Sequence, residues 1–405
     1  MRATPVSGHS RIVSLDIIRG FALFGILLVN MPAFHSPAFI RQIYTLPQHL
    51  SPLDNGIRIF FDMFVQTKFY TMFSFLFGLG FYIFMRRAEQ KNIKSAGLFA
   101  RRLLILLVFG LLHLIFLWFG DILHTYALVG FLLLLFYKRS NTALIGWGLG
   151  LLCSYYALLA LQLVVEPTSS YAAQQQVISA AKLEEAVRMY QDASYTEWLA
   201  YRLQAEVTLI LSNAPFLIPA ILPLFLFGLY AGRRGIFQHP EQHRTFVTRV
   251  WIISLLISAP LVAAVALVHM DILAFDANKP LAIQLFVTMS GAPLCLFYIS
   301  SFVLLLQKQS WQKRLRPLGF VGQMALTNYI MQTALSLAVI YGFDLFNRMS
   351  LAFGTFLCVG IYGLQIVYSR FWLTRYRFGP LEWLWRSLTY GYFQPLRREH
   401  IRSAK

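Results

Sequence analysis

Apolar runs of about 18 residues or more recur from one end of this chain to the other, and a run of that length crosses a bilayer when it is helical. This feature removes most alternatives. A soluble enzyme does not carry such runs throughout. A membrane β-barrel alternates apolar and polar residues in short segments instead, and a disordered chain lacks the apolar content. The expected fold class is all-α, a polytopic transmembrane helical bundle. The runs mark about ten spans, near 13–34, 67–85, 103–119, 122–137, 142–165, 207–231, 247–269, 281–306, 317–342 and 351–372. The first run lacks a small-x-small exit and carries Asp16 and Arg19 in its opening turns, so it is expected to stay as a membrane helix and not to be cleaved.

Only 13% of the 405 residues are charged, against about 25% in an ordinary soluble domain. Lys and Arg outnumber Asp and Glu by 35 to 17, a net charge of +18. In a membrane chain this excess marks cytoplasmic loops and attracts anionic headgroups, and no nucleic-acid motif accompanies it. The basic residues cluster at Arg86–Arg102, Lys138–Arg139, Arg233–Arg249, Lys308–Arg316 and in the tail. With ten spans all these loops fall on one side, which places both termini in the cytoplasm. The domains expected are a bundle over 1–378, with extracellular segments at 35–66 and 166–206, and a cytoplasmic interfacial tail over 379–405. The tail mixes Trp with Arg, as a helix lying in the interface does. Cys153, Cys295 and Cys358 lie in apolar runs with no metal-ligand or redox spacing, so packing roles and no metal are expected. Gly78, Gly80, Gly110, Gly146 and Gly150 are expected to let helices approach closely.

Ionisable groups inside spans are costly, about 2.5–3.5 kcal/mol at a helix centre, and so point to function. Asp16 and Arg19 share a helix face at i,i+3, either as a structural ion pair or as an anion site in which Arg19 meets a phosphate and Asp16 orients it. Toward the other side, Asn30, His35, Lys68, His113, Asp121, His124 and Glu206 fall at similar depth. A shared pocket is expected there, with His113 as its reactive base and Asp121 holding the imidazole tautomer. The ninth run carries Gln323, Thr327, Asn328 and Gln332, of which Thr327, Asn328 and Gln332 share one stripe; interhelical hydrogen bonding is at least as good a reading of it as substrate contact. No nucleophile elbow, P-loop or H-E-x-x-H motif is present.

Four stretches carry a resemblance: Leu15-Asp16-Ile17-Ile18-Arg19-Gly20-Phe21-Ala22 with Asn30; Lys68-Phe69 with Phe75-Leu76-Phe77-Gly78; Gly110-Leu111-Leu112-His113 with Gly120-Asp121-Ile122-Leu123 and Tyr126-Ala127; and Ala325-Leu326-Thr327-Asn328-Tyr329 with Gly379-Pro380-Leu381-Glu382-Trp383-Leu384-Trp385-Arg386. Together they resemble the YeiB-like family of bacterial membrane proteins. The opening Leu-Asp-x-x-Arg-Gly is remotely similar to the transmembrane acyltransferase superfamily, which includes heparan glucosaminide acetyltransferases and bacterial sugar O-acyltransferases. That resemblance implies an intramembrane His and an acyl-CoA donor on the cytoplasmic side. His113 is its best counterpart here and His35 the second.

The first reading is thus an acyltransferase of the bacterial cytoplasmic membrane. His113 acts as base, Asp121 orients it, and Lys68 or Asn30 stabilises the oxyanion. Arg19, Arg233 and Arg234 meet the donor, and an envelope sugar or lipid accepts the acyl group. The competing readings are a small-solute or lipid transporter using the same groups, and a non-catalytic protein that binds lipid or a partner. Expected partners are membrane lipids and acyl-CoA or another small molecule, with a homodimer left open.

Overall fold

The computed structural model describes residues 12–43, 46, 50–164 and 169–398. Among these the chain is helical, with no strand beyond an isolated bridge between Tyr376 and Arg397. The helices are α1 (Val13–His35), α2 (Ala38–Ile43), α3 (Pro52–Phe64), α4 (Lys68–Glu89), α5 (Ser95–Phe116), α6 (Leu123–Phe136), α7 (Asn141–Leu161), α8 (Ser169–Gln191), α9 (Tyr195–Tyr201), α10 (Thr208–Arg234), α11 (Arg244–His269), α12 (Lys279–Leu305), α13 (Gln309–Gln323), α14 (Ala325–Gly342), α15 (Leu351–Arg375) and α16 (Pro380–Tyr390). A π-helical turn, Arg202–Val207, joins α9 to α10. The protein is a polytopic all-α membrane bundle.

Among the described residues eight helical stretches are long and apolar enough to cross a membrane. The other two expected spans deviate from simple crossings. Helix α6 has 14 residues, about 21 Å of rise against a hydrocarbon core of about 30 Å. The run over 317–342 is not one straight helix: α13 and α14 meet at a 78° bend. Met324 (φ −112°, ψ 40°) leaves helical geometry there.

Helix α1 is the central strut, with Ile17, Ile18, Ala22, Leu23 and Leu27 fully buried. It packs against α4, α13, α14 and α15. Close backbone approach makes this possible. A Cβ at Gly20 would lie 2.0 Å from the Leu318 carbonyl oxygen, and one at Gly322 would lie 1.9 Å from that of Asp16. Helices α7 and α11 form the rim, where Trp147, Leu149, Ile253 and Leu256 are exposed, as suits a surface facing lipid.

The α4–α10 crossing uses the same device: a Cβ on Gly78 would sit 2.0 Å from the Phe225 carbonyl oxygen. Gly146 and Gly150, expected to permit similar approach, meet nothing within 4 Å, because α7 lies on the rim. Gly78→Ala is therefore expected to lower stability by about 1–3 kcal/mol, and Gly146→Ala to leave it unchanged or slightly raised. Thermal unfolding in detergent checks both.

The tail is more than an interfacial appendage. Helix α16 packs on α5 and α14. The Trp385 indole donates to the Arg102 carbonyl at 2.9 Å, and the Arg102 guanidinium lies 3.5 Å from the centre of a Trp385 ring. Residues 399–405 of the expected tail lie outside the described residues. Of the segment over 166–206, residues 166–168 also lie outside them. Its helices α8 and α9 meet the bundle through Tyr190, which stacks on Phe346 with ring centres 5.1 Å apart.

Candidate functional site

The last turn of α5, the tight turn after it and the middle of α14 bring a relay together. His113 Nδ1 lies 2.9 Å from Asp121 Oδ1, and His113 Nε2 lies 3.0 Å from Thr333 Oγ1. His124 Nδ1 lies 2.9 Å from Asp121 Oδ2, which also accepts the His124 backbone N–H at 2.8 Å. His124 Nε2 in turn meets Thr125 Oγ1 at 3.1 Å. An ionised carboxylate only accepts. Both imidazoles therefore carry their proton on Nδ1 and accept from threonine hydroxyls at Nε2. His113, Asp121, His124 and Thr333 are all buried. Burial alone would raise the Asp121 carboxyl, but hydrogen bonds from His113 and His124 outweigh it and hold the group below the usual range. Gly110 makes the hairpin possible, since a Cβ there would fall 2.3 Å from the His124 nitrogen.

The expected pairing of His113 with Asp121 is present, but Lys68 does not join it. Its ammonium donates to the carbonyl oxygens of Asp62 at 2.8 Å and Val287 at 3.5 Å. Lys68 opens α4 on the side that faces α12, whereas His113 faces α14, so similar depth does not bring them into contact. Tyr329 stands there instead. Its ring centre is 5.2 Å from that of His113, and its hydroxyl accepts the Ile122 N–H at 3.4 Å.

Asn328 and Gln332 are structural staples. Asn328 donates to Val321 O at 3.1 Å and Ser369 Oγ at 2.9 Å, and Gln332 to Leu23 O at 3.2 Å and Gln365 Oε1 at 3.0 Å. They tie α14 to α1, α13 and α15. Asn30 is half-buried on α1. Glu206 belongs to another cluster, accepting from Arg202 Nε at 2.9 Å and from the Tyr190 hydroxyl at 2.7 Å.

At the opposite end of α1, Arg19 Nη1 lies 3.5 Å from Asp16 Oδ1 with the arginine partly exposed. Arg102, over the Trp385 ring, is within electrostatic reach of Arg19 and Arg386, and Arg386 itself lies over the Phe378 ring at 4.6 Å. Arg233 does not belong to this group. It caps the end of α6, donating to Arg139 O at 2.5 Å, to Asn141 Oδ1 at 3.2 Å and to the Tyr137 carbonyl. It holds backbone carbonyls there. Arg234 lies over the Phe246 ring at 5.9 Å.

Residues 231–392 match the family described as "Protein of unknown function (DUF418)". Over 412 aligned residues the chain is 31% identical to the uncharacterized protein YxaH of Bacillus subtilis (strain 168), covering 98% of each. The chain belongs to the YeiB-like family. It is 29% identical to the uncharacterized protein YeiB of Escherichia coli (strain K12), over 94% of this chain and 96% of that one. A Bacillus acidopullulyticus protein, described as an uncharacterized 39.9 kDa protein in the amylase 3′ region, is 33% identical over 96% of each. No solved structure matches the chain.

The matched region of this YeiB-like chain holds the broken helix α13–α14, Thr333 and the docking helix α16. His113 and Asp121 lie before it. The relay is therefore assembled across the boundary of the matched region. Thr333 and Tyr329 were missed from the sequence because a hydroxyl on an apolar helix carries no charge signal. Their i,i+4 spacing on α14, the helix that faces α5, is the only pointer.

Proposed function

We propose that the protein is an acyltransferase of the bacterial cytoplasmic membrane, with both termini inside, and that His113 is its general base. The observation that carries this reading is the order Thr333 hydroxyl, His113, Asp121. That is the order of hydroxyl, base and orienting carboxylate in acyl-transfer chemistry. Thr333 occupies the place an acceptor hydroxyl takes. When the acceptor displaces it, His113 Nε2 removes the acceptor's proton. The acceptor oxygen attacks the thioester carbonyl, the carbon–sulfur bond breaks, and the thiolate leaves as CoA with the proton carried by His113. Asp121 keeps Nδ1–H in place and stabilises the imidazolium. The Tyr329 hydroxyl is the donor nearest the developing oxyanion.

The donor fits the arginine-rich end. Arg102 and His113 are both on α5, eleven residues apart and so roughly 16 Å along the axis, a depth of the order an extended pantetheine arm spans. Arg19, Arg102 and Arg386 would meet its phosphates.

Transport has one observation in its favour, the break between α13 and α14, since discontinuous helices form substrate sites in transporters. Here, however, the freed N-terminus of α14 is already filled by the chain's own Glu382 (Leu326 N–H to Oε1 at 2.6 Å). Acyl transfer is the better reading.

Proteoliposomes loaded with radiolabelled acetyl-CoA and longer acyl-CoAs, and bathed in candidate sugar and lipid acceptors, test the proposal. Label should appear covalently in an acceptor outside, and His113→Gln should lower the rate by roughly 10²–10⁴-fold. Flux of an unmodified solute with no covalent transfer would instead establish transport.

A further inference from the structure

The relay is sealed. His113, Asp121, His124 and Thr333 are no more than 5% exposed, so nothing reaches His113 Nε2 until a covering element moves. The cover at this end of the bundle is the unit formed by α8, α9 and the π-helical turn Arg202–Val207. Its Arg202 guanidinium lies 5.8 Å from the centre of the Phe119 ring. Phe119 is buried and stands two residues before Asp121, in the turn between α5 and α6.

Three observations mark this unit as a movable cover. The first is its latch. Arg202 Nε donates to Glu206 Oε2 at 2.9 Å and Arg202 Nη2 to the Tyr190 hydroxyl at 2.7 Å, while that hydroxyl donates to Glu206 Oε1 at 2.7 Å. Arg202 is 1% exposed, yet its Nη1 has no hydrogen-bond partner among the described residues. The ring centres of Trp198 and Tyr190 lie 4.3 and 5.8 Å from its guanidinium carbon. A charge pair buried in this way gains little over its hydrated, open form, because desolvation offsets most of the attraction and one donor stays unmatched. The second is the seam. Gln191 Nε2 donates to Phe346 O at 3.1 Å beside the Tyr190–Phe346 stack. A cavity of about 10 Å³ lies along this contact, walled by Ala186 and Tyr190 of the cover and by Ala33, Phe119 and Phe346 of the bundle. Unfilled space forfeits dispersion contacts, so the cover is docked without close packing. The third is the hinge. A π-helical turn closes i→i+5 hydrogen bonds in place of i→i+4 ones, and a shift from one pattern to the other turns the preceding helix by about 100°, the rotation of one residue.

We propose that α8 and α9 form a lid over the His113 relay, latched by Tyr190 on Arg202 and Glu206 and hinged at Arg202–Val207, which opens to admit the acceptor. The inference rests on the acyl-transfer reading for what enters, and not for whether the lid moves. With the lid closed, Thr333 fills the acceptor's place and water is kept from the base, which guards the thioester against hydrolysis.

The test follows the reactivity of His113 itself. Diethyl pyrocarbonate, which modifies imidazoles that solvent reaches, is applied to the full chain in nanodiscs. Mass spectrometry reads the modification rate of His113 against that of the exposed His239. In a Cys153→Ser background, Gln191→Cys and Asn347→Cys, at exposed positions on the two sides of the seam, are joined by a short bis-thiosulfonate reagent and released by reductant. Cross-linking is expected to slow modification of His113 by about tenfold or more, with recovery on release. Tyr190→Phe is expected to speed it by about tenfold, the change that loss of one hydrogen bond to a charged group produces. The cross-linked protein keeps the native latch, so it decides the question even if Tyr190→Phe fails to fold. A His113 rate unchanged by cross-linking, or a His113 that stays unmodified in every form while His239 reacts, overturns the lid. Covalent acyl transfer is read separately. Its absence in a protein whose cross-link protects His113 refutes acyl transfer and leaves the lid standing, whereas transfer undiminished by the cross-link refutes the lid alone.

Discussion

Replacing Glu382 with alanine is expected to destabilise the bundle by about 3–5 kcal/mol. The break at Met324 leaves the first N–H groups of α14 without intrahelical partners. The Glu382 carboxylate, delivered by α16, satisfies them: Oε1 accepts from Leu326 N–H at 2.6 Å and Thr327 N–H at 3.1 Å, and Oε2 accepts from the Thr327 hydroxyl at 2.6 Å. Thr327 Oγ1 returns the service by accepting the Leu381 N–H at 3.1 Å near the start of α16. Two helix N-termini thus cap each other across the bundle. Alanine would leave three buried donors unpaired, at about 1–3 kcal/mol each before relaxation. It also removes a negative charge from a helix N-terminus. Glu382→Gln keeps the shape and part of the acceptance, so a loss of about 1–2 kcal/mol is expected. Thermal unfolding followed by tryptophan fluorescence ranks the pair. Equal stability of wild type and Glu382→Ala would contradict the reciprocal cap.

Asp121→Ala is the second large effect, about 3–5 kcal/mol. The substitution strips the acceptor from two imidazole Nδ1–H groups and from the His124 backbone N–H, all of them buried. Removing one partner of a buried polar network is far costlier than the network's net contribution. The folded carboxyl lies below its ordinary range, so its contribution is fully present above the unfolded value of about 3.9 and is lost as pH falls through the lower folded value. Wild type should therefore lose stability on the acid side of about pH 4, and Asp121→Asn should flatten that limb. An unchanged acid limb in Asp121→Asn would show that the carboxyl is not held by the histidines.

Much of the fold was legible because apolar run length depends directly on bilayer thickness. Eight of the expected spans need nothing further. The break in the ninth was not legible, since hydropathy runs smoothly through Met324 and the compensating carboxylate lies more than fifty residues later. The capping role of the tail was not legible for a related reason: nothing local marks Glu382 as a cap for another helix. In the site, depth alone brought His113 and Asp121 together, because only a short turn separates them. Depth failed for Lys68, whose neighbours are set by which way α4 faces. Arg233 looked free in a basic loop but is taken up by the carbonyls that end α6. His35 looked like one polar residue among several, and only the packing around it shows that its ring nitrogens have no hydrogen-bond partner among the described residues.

The most direct measurement is release of CoA thiol from acyl-CoA by the purified, folded protein, compared between wild type, His113→Gln and Thr333→Val, first with water and then with sugar hydroxyls as acceptor. The account predicts release that rises with a suitable acceptor and is lost in His113→Gln, while Thr333→Val, which only vacates the acceptor's place, retains it. Release that persists in folded His113→Gln, or no release by wild type with any acyl-CoA and acceptor, would contradict the assignment of His113 as the base of an acyl-transfer site.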